Sequence, residues 1–259
     1  MGLIERPSPV GKKAALFVTC MVDVLYPHTG ISVVRLLEHL GVQVHFPRKQ
    51  TCCGQPGYNG GYHHEAAQVA RQFLGTFHDA ELIVVPSGSC ATMVRHEFPA
   101  LFAHDPARLA LVQHLASITW ELTEYLVDGL GVTDLGLRLP APRTFAFHDS
   151  CHGLRMLGLG QAARHLLENV GNAEIVPLAD HDECCGFGGL FSVKMPDVSS
   201  AMLRKKVGHI NACAADTIVV GDVSCLSHIN GGLARQKSPK RVQHIADVLA
   251  AGLPERSLP

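Results

Sequence analysis

Nine cysteines are the residues of this sequence best able to do chemistry: Cys20, Cys52, Cys53, Cys90, Cys151, Cys184, Cys185, Cys213 and Cys225. Eight of them fall into two sets with one layout. Cys20 is followed after 31 residues by Cys52-Cys53-Gly54, and Cys151 after 32 residues by Cys184-Cys185-Gly186. Farther on, Val84-Val85-Pro86-Ser87-Gly88-Ser89-Cys90 matches Val219-Val220-Gly221-Asp222-Val223-Ser224-Cys225, an apolar run entering a polar turn that ends in Ser-Cys. Four thiolates are soft anionic donors, suited to a tetrahedral zinc ion or to an iron–sulfur cluster. An adjacent Cys-Cys pair is unusual for structural zinc, where Cys-x-x-Cys knuckles dominate. Glycines after each pair (Gly54, Gly57, Gly60, Gly61; Gly186, Gly188, Gly189) let backbone amides approach cluster sulfurs, or simply serve a tight turn. A buried cysteine is often only a small apolar residue. That explains Cys213, which has no counterpart in the other set, and explains the eight repeated ones badly.

The elements that must position these thiols repeat as well. Strands are expected over 14–19, 42–46 and 82–85, with helices over 31–40 and 62–77 and a largely helical stretch over 107–130. The second half repeats this with strands over 145–148, 174–176 and 217–220 and helices over 161–169 and 196–214. Both halves close on similar helices, Glu121 to Leu126 and His244 to Leu249. The proline-broken stretch Leu137 to Arg143 marks the seam. The chain therefore divides into a first cysteine-rich unit, 1–140, and a second, 141–259. Alternating strands and helices make this an α/β protein of two tandem units, each a small parallel sheet with flanking helices, related by pseudo-two-fold symmetry. Parallel strands end on one sheet edge, where open α/β sheets put their ligands. Each cysteine set follows strand ends, so each should gather at one carboxyl edge.

The chain has 259 residues, 47% hydrophobic and 17% charged, with a formal net charge of −1. That is ordinary globular composition, and its charge offers nothing to nucleic acid. No apolar run reaches the ~18 residues of a membrane span, and the N-terminus lacks a signal-peptide core. A cytoplasmic location is the expectation. In a reducing compartment, so many cysteines argue for metal or redox chemistry rather than disulfides. No Gly-x-Gly-x-x-Gly opens a helix after a strand, so no dinucleotide site is expected and any flavin must come from a partner.

The segments Leu16 to Cys20, Cys52-Cys53-Gly54-Gln55-Pro56, Pro86 to Cys90, Ser150-Cys151-His152 and Cys184-Cys185-Gly186-Phe187-Gly188-Gly189 resemble the CCG, or cysteine-rich domain, family. That family includes the cysteine-rich subunit of heterodisulfide reductase and the iron–sulfur subunits of glycolate oxidase and anaerobic glycerol-3-phosphate dehydrogenase. The resemblance implies an iron–sulfur electron-transfer subunit of an NAD-independent, L-lactate-oxidising complex. It also implies a companion iron–sulfur protein and a third subunit as partners. One cluster would rest on Cys20, Cys52, Cys53 and Cys90, the other on Cys151, Cys184, Cys185 and Cys225. The family's repeat ends in Cys-x-x-Cys, but Ser87 and Asp222 stand at the first of those positions here. Four thiolates per half suit a [4Fe–4S] cubane rather than the noncubane cluster of five-cysteine sites, with zinc as a substitute. Asp222 is a candidate oxygen ligand, but its residue type favours a turn after a strand. His148, Asp149 and His152 flank Cys151 as candidates for tuning a cluster or relaying a proton, or as a hydrogen-bonded strand end. Two other functions fit the cysteines: heterodisulfide-type thiol chemistry at a cluster, and a zinc-stabilised scaffold.

Overall fold

A computed structural model describes residues 6–254. The first half runs β1 (Ala14–Leu16), α1 (Cys20–Leu25), α2 (Pro27–His39), β2 (Val44–His45), α3 (Gln55–Asn59), α4 (His63–Phe77), β3 (Leu82–Val85) and α5 (Gly88–Thr92). It continues with α6 (Phe98–Leu101), α7 (Pro106–Ser117), β4 (Thr119–Glu121) and α8 (Leu122–Glu124), the last extended by a wider-wound turn, Tyr125–Gly129. The second half runs β5 (Arg138–His148), α9 (Cys151–Leu157), α10 (Ala162–Glu168), β6 (Gly171–Ile175), α11 (Phe191–Lys194), α12 (Pro196–Ala212), β7 (Thr217–Val220), α13 (Val223–Arg235), β8 (Arg241–His244) and α14 (Ile245–Ala250).

Two four-stranded sheets result, ordered β2-β1-β3-β4 and β6-β5-β7-β8, and every pairing is parallel. The order is the same in both, and so is the register. Ala14 pairs with Leu82 where Phe145 pairs with Thr217. The duplication read from the cysteines is thus a duplication of topology. Its fourth strands are additions to the sequence reading. Residues 107–130 were expected to be largely helical, but the helix ends at Ser117 and Thr119–Glu121 pairs with β3. Three residues between two helices show no period-two alternation, so this strand leaves no pattern to read. β8 went unread for a similar reason, at four residues.

Central strands buried on both faces read as unbroken apolar runs. Leu82-Ile83-Val84-Val85 and Ile218-Val219-Val220 are such runs. On the outer face of the first sheet, α4 buries Ala66, Ala70, Phe73, Leu74 and Phe77 at helical spacing. Phe17 meets the rings of Phe73 and Phe77 edge-on at 5.1 and 5.5 Å. Each buried aromatic side chain of this size contributes roughly 1.5–3 kcal/mol through burial alone.

The inner faces of the sheets share a third core. Its helices are exchanged between halves. Helix α14, last in the chain, packs on α2 of the first half, and α10 of the second packs on α8 of the first. Val33, Leu36 and Leu37 of α2 and Leu166 and Leu167 of α10 join Ile245, Val248 and Leu249 of α14 in one buried cluster. The contacts around the strand ends obey the same symmetry: α5 packs on α9, and α13 on α1. Where α5 crosses α9, Gly88 and Gly153 touch, and a Cβ on Gly88 would lie 3.1 Å from the Gly153 backbone.

Candidate metal centre

All eight repeated cysteines line one cavity of about 140 Å³ between the carboxyl edges of the two sheets. Each arrives by the route its strand dictates. Cys20 and Cys151 are the first residues of α1 and α9, immediately after β1 and β5. Cys90 and Cys225 lie in the first turns of α5 and α13, after β3 and β7. The Cys-Cys pairs sit in the loops that enter α3 and lead towards α11. All nine cysteines are free thiols, and Cys213 lies apart from the cavity, its Sγ 3.3 Å from the Pro177 carbonyl.

Within each half the thiols form a chain of contacts. Cys53 Sγ is 3.2 Å from Cys90 Sγ, and Cys185 Sγ is 3.2 Å from Cys225 Sγ. Two thiolates on one tetrahedral ion with bonds of ~2.3 Å lie roughly 3.8 Å apart, so each pair needs only a small opening to share a metal. Cys52 and Cys184 each accept a hydrogen bond from the backbone N–H two residues on, Gly54 at 3.3 Å and Gly186 at 3.4 Å. Both thiols sit far below the ordinary cysteine range. The first cause is a hydrogen bond from Cys20 or Cys151, the second one from the adjacent Cys53 or Cys185, and the glycine N–H adds to these. Their partners are pushed up by the same contacts and by burial. Cys225 is lowered to about 6, through the hydrogen bond to Cys185 and then through His148, against the opposing effect of burial. These contacts favour the thiolate at Cys52 and Cys184, the form a metal binds.

The glycines after the pairs have a steric reason. Gly54 and Gly186 adopt φ of +84° and +89°. A Cβ on Gly186 would meet the Ser199 carbonyl oxygen at 2.8 Å, because this turn presses on the start of α12. Over the cavity the two loops lean on one another, Gly189 packing on Pro56 and Lys194 Nζ donating to the Gly60 carbonyl at 3.4 Å.

Donors that could serve a cluster's sulfurs are already in place. The hydroxyls of Thr19 and Ser150 are buried, line the cavity and have no hydrogen-bond partner. They occupy equivalent positions, just before Cys20 and Cys151. Thr19 holds φ of +72° with ψ of +152°, a region β-branched residues rarely enter, so the backbone is strained at the mouth of the first site. Unsatisfied hydroxyls, four cavity-lining thiols from each half and a shared cavity all fit an iron–sulfur group.

Asp222 is buried and fully engaged. Its Oδ1 accepts from Ser224 N at 3.0 Å and Ser224 Oγ at 2.5 Å, and its Oδ2 from Ser87 Oγ at 3.0 Å and Ser89 N at 2.9 Å. Burial pushes this carboxyl up, yet the bonds from the serines outweigh it and hold it below the usual range. It therefore caps α13 and ties the second half to the first. Ser87, at the equivalent position, caps α5 through Cys90 N. Among the flanking residues, Asp149 pairs with Arg164 at 2.8 Å and His181 at 2.6 Å, away from the cavity. His152 lines the cavity beside Cys151, its Nδ1 3.6 Å from that sulfur, and its Nε2 lies 3.3 Å from Gln55 of the other half. Residues that sequence reasoning passed over are Thr19, Ser150, Gln55 and the buried Glu121, which is pushed up to about 7 by burial against hydrogen bonds from Thr123 and Glu124. Glu121 lies one strand over from Val85, and nothing in its own neighbours marks it as buried.

Known proteins carry the same pattern. The family described as CCG, cysteine-rich domain, matches residues 14–95 and 145–230. A protein named Lactate utilization protein A from Exiguobacterium sp. is 50% identical over 241 residues, covering 92% of this chain and 97% of its own. The protein of that name from Geobacillus kaustophilus is 48% identical, covering 92% and 99%, and that from Macrococcus caseolyticus 45%, covering 92% and 96%. Among solved structures, a hypothetical protein from Helicobacter pylori aligns over 99% of this chain with a TM-score of 0.62 at 13% identity, a likeness of fold. This chain spans about half of that structure, 52% of its length.

Proposed function

This chain belongs to the CCG cysteine-rich domain family, and from that premise we propose that it is an iron–sulfur electron-transfer subunit of a lactate utilisation complex. The observation that carries this reading is the convergence of two complete sets of four free thiols on one cavity. Residues 1–140 bring Cys20, Cys52, Cys53 and Cys90, and residues 141–259 bring Cys151, Cys184, Cys185 and Cys225. A [4Fe–4S] cluster in each set would supply one-electron chemistry at the sheet edges. The chain's own residues then do the rest. Gly54 and Gly186 donate backbone N–H groups to ligand sulfurs, Thr19 and Ser150 offer hydroxyls, and the interleaved loops around Pro56 and Gly189 limit access of water. Asp222 stays outside the ligand set in this reading, because both of its oxygens already accept hydrogen bonds.

The relatives' name supports lactate as the ultimate substrate, and the family resemblance implies a companion iron–sulfur protein and a third subunit as partners. Among the described residues no helix is long and apolar enough to cross a membrane. The test is anaerobic reconstitution followed by iron, sulfide and zinc analysis. Cys53→Ala and Cys185→Ala should each lose about half the iron, while Cys213→Ala keeps all of it. Zinc without sulfide, or equal loss from Cys213→Ala, would refute the assignment.

A further inference from the structure

The two sets of thiols are equivalent, but the side chains beside them are not. Counting from Cys20 and Cys151, Met21 of the first half corresponds to His152 of the second. Counting from the Cys-Cys-Gly turns, Gln55 corresponds to Phe187. All four side chains line the shared cavity. His152 and Gln55 come from opposite halves and meet there, Nε2 to Nε2, at 3.3 Å. Their counterparts, a thioether and a phenyl ring, have no N–H to give.

The bonds around Gln55 fix where the proton of His152 lies. Gln55 Nε2 donates to the Ser89 carbonyl at 2.9 Å. A carbonyl only accepts, so this end of the amide is the nitrogen, and its second N–H is the one turned to His152. His152 Nε2 therefore accepts, and a neutral ring that accepts at Nε2 carries its proton on Nδ1. Nδ1 lies 3.6 Å from Cys151 Sγ. Cys151 gives its own proton to Cys184, so it meets His152 with a lone pair. As a thiolate on iron it could only accept. The backbone holds this arrangement together. Helix α9, which carries His152, packs on α5, which carries Ser89, with Gly88 against Gly153 at their crossing.

Building on the cluster reading above, we propose that His152 donates an N–H···S hydrogen bond to the Cys151 ligand and raises the reduction potential of the second cluster, with Gln55 of the first half as the positioning residue that sets its tautomer. His152 takes no place on the metal, because four thiolates fill the four ligand positions of a [4Fe–4S] cluster. An added electron makes the cluster's sulfurs more negative. A donor aimed at one of them then binds more strongly, which favours the reduced form. At the first site Cys20 accepts the backbone N–H of Met21, whose side chain adds no donor. The arrangement also ties the two sites together. Gln55 follows Cys53 by two residues and bonds to Ser89, which precedes Cys90. A side chain held by the ligand loops of the first site thus orients a donor at the second.

The full chain, reconstituted anaerobically, is titrated potentiometrically with EPR detection. The step missing from Cys185→Ala belongs to the second cluster. His152→Met, which installs the first half's residue, should keep iron and sulfide, weaken the electron affinity of that step by about tenfold, or ~59 mV for one electron, and leave the other step in place. His152→Asn, whose amide N–H can stand near the place of Nδ1, should recover most of the loss. Gln55→Met should lower the same step by a smaller amount. Pulsed EPR of the second cluster in protein labelled with ¹⁵N-histidine should show the weak coupling of a nitrogen one hydrogen bond away from a ligand sulfur, and His152→Met should lose it. Absence of that coupling in the unaltered chain would overturn the proposal, and that measurement needs no variant. An unmoved second step in loaded His152→Met, or an equal fall in His152→Asn, would overturn it too, and an unmoved step in Gln55→Met would remove the positioning role. Failure of the unaltered chain to take up iron and sulfide is a different result, because it refutes the cluster reading itself.

Discussion

Asp222→Ala should be among the most destabilising single substitutions in this chain, for reasons unrelated to metal. The side chain accepts four hydrogen bonds at 2.5–3.0 Å in a site where it is 1% exposed. Hydrogen bonds to a charged group contribute roughly 1.5–3 kcal/mol each, and a buried donor left alone costs about 1–3 kcal/mol. Not all of this is lost on truncation. Ser87 Oγ can turn to Ser89 Oγ, 3.1 Å away, and Ser224 is partly accessible to water. Ser89 N has no such substitute. The net loss should be about 3–5 kcal/mol, the range for removing one member of a buried charged network. That is a large share of the ~5–15 kcal/mol a typical domain possesses. Urea unfolding of the metal-free, reduced chain measures it. Because the folded carboxyl lies below its ordinary range, its contribution is present above the unfolded value of 3.8 and fades as pH falls through the folded one. The difference between Asp222→Ala and the unaltered chain should therefore shrink in acid. A loss under ~1 kcal/mol would refute this account. Full stability with half the iron missing would instead make Asp222 a ligand.

Glu121 has the opposite pH signature. Its folded value is raised from 4.5 to about 7 by burial, so the folded state binds the extra proton and stability declines as pH rises through that window. The decline due to this residue is roughly 3 kcal/mol, and Glu121→Gln should flatten it; an unchanged slope in denaturation measured on both sides of the window would show the group is not responsible. Gly186→Ala forces a Cβ to 2.8 Å from the Ser199 carbonyl at a positive φ, and should cost about 2–4 kcal/mol and reduce iron in the second half. Gly54→Ala, whose nearest atom is 3.4 Å away, should cost only about 1–2 kcal/mol. Equal losses of stability in the two variants would show that packing against α12 is not what distinguishes them.

Much of this architecture was legible because the cysteines punctuate it. A cysteine after each parallel strand can only lie at one sheet edge, so Cys20, Cys52, Cys53 and Cys90 gather for topological reasons, as their four counterparts do. The strands over 82–85 and 217–220 were equally plain, being short apolar runs between turn residues. Thr119–Glu121 was not, because so short a strand has no period. The exchange of helices was also hidden. The apolar run of α14 says that it is buried, not that it is buried against α2. Helices α1, α5, α9 and α13 begin at the cysteine turns, and for the first three the helical span is too brief to display a 3.6-residue repeat. Ser87 and Asp222 were visible as departures from a Cys-x-x-Cys pattern, but their meeting across the halves needed coordinates. His148 stood out beside Cys151, whereas nothing in the sequence marks Lys206 as buried.

The bond between Ser87 and Asp222 also bears on why both copies lie in one chain. These two residues hold equivalent positions and touch, so the pseudo-two-fold axis passes between them. In a dimer of identical chains a residue on that axis faces its own duplicate. Two aspartates there would oppose like charges in a buried site, and two serines would lack the carboxylate that now binds Ser89 and Ser224 as well. An acid facing a hydroxyl is available only to a molecule whose two sides can differ. The junction is thus a broken symmetry at a point where an identical pair would have been forced into contact, and a single polypeptide carrying both copies is what allows the break.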